Sequence, residues 1–162
     1  MDERWTVTSD VDQGAGYISF GPLGDKLPSA FTATVDYAER PVTMTVHVTF
    51  DGRRARVDKL IIESKNGREV TPRDVAGLQL GEVVRDATRA RITPGAGLAV
   101  DRRPDRRPTP DELQLVAGVY WAHYVMWGDP RRAVMAIWDI PRATANRWLR
   151  RCRELYDMPE VD

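Results

Sequence analysis

Residues 92–110 read Ile-Thr-Pro-Gly-Ala-Gly-Leu-Ala-Val-Asp-Arg-Arg-Pro-Asp-Arg-Arg-Pro-Thr-Pro. No long helix or strand can cross this run. Proline lacks the backbone N–H and fixes φ, and Pro94, Pro104, Pro108 and Pro110 recur along it beside Gly95 and Gly97. The run therefore divides the chain into a front part, 1–91, a proline-stiffened linker, 92–108, and a back part, 109–162. The repeated Asp-Arg-Arg-Pro of the linker reads as a solvated spacer, with an arm touching phosphates as the alternative. A chain of 162 residues suits one mid-sized domain or two small ones.

The front part has the period of β-structure. Phe31 to Tyr37 alternates apolar and polar residues, and Val42 to Phe50 does the same over nine positions. Period two over such lengths means a strand with one buried face. Asp51-Gly52 comes at once after it and suits a tight hairpin turn. Ala55 to Ser64 is the returning strand, and its alternation slips at Lys59–Leu60, the mark of a bulge. Residues 31–64 thus form an antiparallel three-stranded meander, with Trp5–Thr8 and Tyr17–Phe20 as candidate edge strands. Thr71-Pro72-Arg73-Asp74 is a helix start, with a capping hydroxyl, proline in the first helical position and an acid in the first turn. Gly77 and Gly81 split the helical stretch beyond it into a short helix over 72–77 and a longer one over 81–91. Val83, Val84 and Ala87 of the longer helix face the sheet.

The back part is helical throughout. Thr109-Pro110-Asp111-Glu112 is a capping box, and Leu113, Val116, Tyr120, His123, Tyr124 and Trp127 recur at helical spacing. Gly128-Asp129-Pro130 ends that helix and opens a second over Arg131–Trp138. Asp139-Ile140-Pro141 is a three-residue turn, and a third helix runs from Arg142 to about Leu155. The fold class is α+β: an N-terminal antiparallel β-meander with one or two helices, then a C-terminal three-helix unit.

Short helix, three-residue turn and longer helix outline a helix-turn-helix. Ala133, Met135 and Ala136 are expected to pack the second helix, with Ile140 plugging the turn. Small Ala136 and Ala145 let the two helices approach. Ala145, Trp148, Leu149, Cys152 and Leu155 fall on one stripe of the third helix. The opposite face carries Arg142, Ala143, Asn146, Arg147 and Arg150. Arginine pairs with the guanine edge and asparagine with the adenine edge, so these residue types suit base reading.

Charge is placed to match. The whole chain is neutral, with 24 basic and 24 acidic residues, and all but Lys26, Lys59 and Lys65 of the bases are arginine. Residues 131–153 hold seven arginines and a single acid, Asp139, for a net charge of +6. Residues 154–162 carry Glu154, Asp157, Glu160 and Asp162. A phosphate-binding surface needs such a basic segment inside a neutral chain. Arg131, Arg132, Thr144, Arg150 and Arg151 are the expected phosphate contacts. Arg131 and Arg132 open a helix whose backbone N–H groups also favour phosphate. Arg150, Arg151 and Arg153 serve equally as a charge complement to a helix C-terminus.

The segment from about 109 to 158, a third of the chain, resembles the helix-turn-helix of small DNA-binding proteins common in actinobacteria and their phages. That pattern has a tyrosine in the first helix, a Pro-x-x-Ala-Val start to the second, a Val-Ser turn, and Thr-Ala-x-Arg-Trp followed by Ala-Arg-x-x-Gly. Tyr120, Pro130, Ala133-Val134, Thr144-Ala145, Arg147-Trp148 and Cys152-Arg153 match it. Asp139 stands where a turn glycine is usual, Pro141 replaces the capping serine, and Tyr156-Asp157 replaces the terminal glycine. The resemblance implies DNA-binding roles for Arg142, Ala143, Asn146 and Arg147, and a phage or mobile-element origin.

Other readings are weaker. A hydrophobic content of 42% is enough for a core, which excludes wholesale disorder. No apolar run approaches a membrane span, and the start does not read as a secretory leader. The lone Cys152 excludes an internal disulfide and a cysteine-based zinc site, and on the buried stripe it is an inert thiol. His47 lies among threonines on the polar face of a strand, and His123 packs within a helix. Gly14-Ala15-Gly16 and Gly95-Ala96-Gly97 lack the remainder of a nucleotide loop, and Asp10-Val11-Asp12 lacks the rest of a calcium loop. Trp121, Trp127, Trp138 and Trp148 read as scaffold rather than as stacking platforms. The expectation is a soluble, cytoplasmic, non-enzymatic protein without cofactor or metal. Its partners are double-stranded DNA and a second copy of itself, with the front part serving dimerisation, a protein partner or an effector. Two further roles stay open: an accessory in DNA packaging, excision or replication, and a protein-interaction module or host-factor inhibitor whose basic helix meets an acidic partner.

Overall fold

A computed structural model describes residues 5–95 and 108–160. Residues 96–107, most of the expected linker and nearly all of its Asp-Arg-Arg-Pro repeat, lie outside the described residues. The front part holds β1 (Trp5–Val11), β2 (Tyr17–Phe20), β3 (Asp25–Pro28), β4 (Ala30–Tyr37), β5 (Val42–Phe50), β6 (Ala55–Ser64), α1 (Pro72–Val75) and α2 (Leu80–Arg91). The back part holds α3 (Pro110–Val125), α4 (Pro130–Trp138) and α5 (Arg142–Leu155). The α+β layout is the one the hydrophobic periods predict.

Strands β1, β4, β5 and β6 form one antiparallel sheet in the order β1-β4-β5-β6. The alternation of β4 and β5 is realised in full. Phe31, Ala33, Val35, Met44, Val46 and Val48 are buried, and the threonines between them line the outer face. The bulge in β6 falls one residue earlier than its pattern suggests. His47 pairs with Lys59 and Val48 with Val57, so Asp58 is the extra residue. Beyond it, Leu60 and Ile62 return to the core side of the sheet, opposite Val46 and Met44.

The second strand of a small hairpin is the element the hydrophobic pattern does not reveal. β3 pairs with β2 from Tyr17↔Pro28 to Phe20↔Asp25. Asp-Lys-Leu-Pro is too short and too polar at its start to declare a strand, yet Leu27 is wholly buried. The hairpin is held on two sides. The chain leaving α2 bridges Lys26 through Thr93, and Gly95 N–H donates to the buried Asp25 Oδ1 at 2.8 Å. On the other side, Gln114 Nε2 of α3 donates to Pro22 O at 2.9 Å.

Two apolar cores result, and α3 enters both. The first joins the sheet and hairpin to Val83, Val84 and Ala87 of α2, the three residues expected to face the sheet, and to Trp121 and Val125 of α3. The second joins Leu113, Val116, Ala117, Val119 and Tyr120 of α3 to Val134, Trp138, Ala145, Trp148, Leu149 and Cys152. Each fully buried Leu, Val or Phe contributes about 1.5–3 kcal/mol, so a helix shared by two cores resists separation of the halves. The junction is reinforced at the end of α3. Trp127 sits in the left-handed region at φ 59°, a costly place for a bulky residue. Its ring packs on the first core, its Nε1 donates to Ala55 O, and the Arg54 guanidinium lies 5.6 Å from its ring centroid.

Candidate nucleic-acid interface

The interface is built by a sharp turn. Asp129 caps α4, its side chain accepting from Arg132 N–H at 2.9 Å. Pro130 stands next, in the first helical position, and is buried. At the other end Asp139 takes left-handed φ 50°, ψ 49°, the conformation the usual turn glycine supplies. Aspartate tolerates this region better than most residues, because its short polar side chain bonds locally. Ile140 N–H then reaches back to Met135 O at 3.1 Å, the outer bond of a Schellman-type ending. Pro141 is extended and begins α5 without a side-chain cap.

The packing between α4 and α5 differs in one respect from expectation. Val134 and Trp138 are the buried residues of α4 after Pro130, spaced four apart. Ala133 and Met135 are half-buried and pack against the second core as expected, but Ala136 is exposed. The close approach therefore rests on Ala145 alone, and the seam is closed by aromatic contact. The Trp138 and Trp148 rings meet edge to face, 6.5 Å between centroids and 82° between planes. Ile140 packs against the same core, as a plug for the turn should. Ala145, Trp148, Leu149 and Cys152 form the buried stripe of α5. Leu155, expected to extend it, is 55% exposed, because the helix ends there and the chain turns away.

The remaining faces of α5 are open. Arg142, Ala143, Asn146, Arg147, Arg150 and Arg151 are all exposed, and Thr144 is half-buried. At about 100° per residue, Ala143, Arg147, Arg150 and Glu154 lie opposite the buried stripe. Arg142, Asn146 and Arg153 share one flank, and Thr144 and Arg151 the other. The four candidate base-reading residues thus form one patch over the first two turns, while Arg151 belongs to a different edge. On α4, Arg132 is exposed and Arg131 half-buried. The expected phosphate site on the backbone at this helix start is largely taken. The Asp129 carboxylate already holds Arg132 N–H, so the cationic side chains are what α4 offers to an anion.

Among the described residues these cations have no ion-pair partner. Among the described residues, the ion pairs are Arg56–Asp51 (2.8 Å), Lys65–Asp36 and Arg68–Asp74 (2.7 Å), all in the front part. No described hydrogen bond uses a guanidinium of α4 or α5. Cys152, inside the stripe, donates to Leu113 O at 3.4 Å, and burial pushes its thiol up to about 12. Among the described residues no three His, Cys, Asp or Glu side chains gather to hold a metal ion, and no helix is long and apolar enough to cross a membrane.

The segment after α5 carries contacts that its sequence does not announce. Met158 is buried in the second core, Tyr120 Oη donates to Pro159 O at 2.9 Å, and Trp121 Nε1 donates to Asp157 O at 3.0 Å. Residues 156–160 are a strap lying back over α3. The acidic composition of this stretch reads as solvated, and only Met158 hints at docking. Comparison of the chain with protein-family models, with curated proteins and with solved structures finds no match.

Proposed function

We propose that the protein binds double-stranded DNA sequence-specifically through its C-terminal helix-turn-helix and acts as a cytoplasmic regulator of transcription. It is a binding protein rather than a catalyst in this reading. α5 enters the major groove, Arg142, Ala143, Asn146 and Arg147 meet base edges, and Arg131, Arg132, Thr144, Arg150 and Arg151 hold phosphates. One observation carries the reading. The exposed side of α5 is a continuous, arginine-rich surface with asparagine inside it, without an ion pair among the described residues, on a helix held rigid by its buried stripe. A solvated helix needs charge on its outer face. It does not need seven arginines against one acid over 131–153 within a neutral chain. A single such unit reads few base pairs, so a homodimer on paired half-sites is part of the proposal.

The test is selection from a random duplex-DNA library near physiological salt, with an Arg142→Ala/Asn146→Ala/Arg147→Ala control. A recovered motif that the control loses supports the reading. Salt-sensitive retention without a motif replaces it with an accessory role in packaging, excision or replication. Absence of retention refutes DNA binding and turns attention to an acidic protein partner.

A further inference from the structure

The sheet ends on β6, a ten-residue strand. Its outer edge presents the N–H and C=O groups of alternate residues to whatever lies beside it, an arrangement proteins usually block. Here the bulge at Asp58 interrupts the edge, and Lys59 to Ser64 beyond it is regular. On the core side of that stretch Leu60 is 42% exposed and Ile62 half-buried. On the outer side stand Lys59, Ile61 and Glu63, paired with His47, Thr45 and Thr43 of β5.

We infer that β6 is the dimer interface, pairing antiparallel with β6 of a second copy about a two-fold axis at Ile61. The register comes from geometry. The residues whose backbone groups face outward alternate, so in a symmetric antiparallel pair each must meet one of the same set. Only registers centred on a residue satisfy this. Centring on Leu60 sets Lys59 against Ile61, charge against hydrocarbon. Centring on Ile62 sets Lys59 against Lys65 and Ile61 against Glu63. Centring on Ile61 sets Lys59 against Glu63 twice, Leu60 against Ile62 twice, and Ile61 against itself. From Lys59 to Glu63 charge meets opposite charge and apolar meets apolar at every position. The edge is thus complementary to itself, which names a second copy as its occupant. The two Leu60–Ile62 contacts also cover the part of each core that the monomer leaves open. Because the contact is isologous and uses the edge up, it closes at two copies and gives one eight-stranded sheet. This inference concerns the sheet alone and stands or falls without the DNA reading.

The test is sedimentation equilibrium of the full chain over a concentration series, without DNA. The wild type is expected to show a monomer–dimer equilibrium. Lys59→Glu or Glu63→Lys each turns both symmetric ion pairs into like-charge pairs and weakens the dimer by roughly tenfold. The double reversal restores the ion pairs and the dimer. Ile61→Cys, at the axis, is expected to cross-link under mild oxidation, while Thr45→Cys, one strand inward on the same face, does not. Circular dichroism confirms that each variant folds. A monomer at every concentration overturns the proposal. So does a dimer that ignores both single reversals, or one that Ile61→Cys leaves uncross-linked.

Discussion

The Leu23 side chain occupies the space that a side chain at Gly118 would need. A Cβ built on Gly118 meets Leu23 Cδ1 at 2.2 Å and Cγ at 2.7 Å. Leu23 sits at the tip of the β2–β3 hairpin and is buried by this contact. A mid-helix glycine, elsewhere a weakness, is here the notch through which the sheet half grips α3.

Gly118→Ala is therefore expected to destabilise the protein, although alanine is the better helix former. The helix gains about 1 kcal/mol from the exchange. Overpacking against Leu23 costs about 1–3 kcal/mol, and both the Cγ and the Cδ1 atoms must shift. Urea unfolding should show a lower midpoint for Gly118→Ala, and the Leu23→Ala background should erase that loss. A Gly118→Ala variant more stable than wild type in the native background defeats this account.

Asp139 offers the opposite case. It holds a left-handed conformation that glycine adopts freely, at an exposed position. Asp139→Gly is expected to stabilise the turn, or at least cost nothing, because the removed strain offsets the added chain entropy. Asp139→Val should cost about 1–2 kcal/mol, since a β-branched side chain resists positive φ. Thermal unfolding of the two variants should bracket the wild type. If valine matches glycine, the turn does not keep this conformation.

Legibility in the sequence depends on how local each signal is. β5 is readable almost to the residue because alternation over nine positions has no competing explanation, and β6, whose alternation slips, is readable as the strand returning after Asp51-Gly52. The α3 capping box is readable because Thr109 and Glu112 answer each other within one turn, at 2.6 and 3.3 Å. β3, Gly118 and the strap over α3 are not, because each owes its place to partners far along the chain. Leu27 is buried by a sheet it does not belong to, and Asp157 is held through its backbone, which has no sequence signature. At the candidate interface the exposed residues of α5 can be named in advance, since they only have to avoid the core. The packing face of α4 is centred on Val134 and Trp138, with Ala133 and Met135 at its margins as expected and Ala136 left exposed. A nine-residue helix leaves little periodicity to measure, and Val134 and Trp138 outcompete the alanines only once Trp148 stands opposite.

His123 makes stability depend on pH. Burial, aided by Arg89 and Arg85 of α2, lowers its pKa below the ordinary 6.5, with Asp129 opposing weakly. The unfolded chain takes up a proton near pH 6.5 that the folded protein resists. Stability contributed here is complete above that pH, falls as pH drops through 6.5, and levels off below the folded pKa. Urea unfolding at pH 7.5 and 5.5 should show a larger loss for the wild type than for His123→Gln. Equal losses would mean that the imidazole is freely solvated.

The flank assignment on α5 yields the most discriminating prediction about DNA. Asn146 projects from the second turn on one flank and Arg147 beside it from the outer face, whereas Arg151 lies on the flank away from Asn146, one turn beyond Arg147. All three are exposed, so alanine at any of them should leave folding intact. Arg147→Ala or Asn146→Ala should cost about 1–3 kcal/mol on the selected sequence and little on unrelated DNA, relaxing preference at one or two positions. Arg151→Ala should weaken every sequence alike and make the slope of log affinity against log salt shallower by about one. Fluorescence anisotropy with matched and scrambled duplexes, each across a salt series, separates the two patterns. If all three variants lose affinity in the same way, base reading does not reside in the first two turns of α5, and the helix grips phosphate along its whole length.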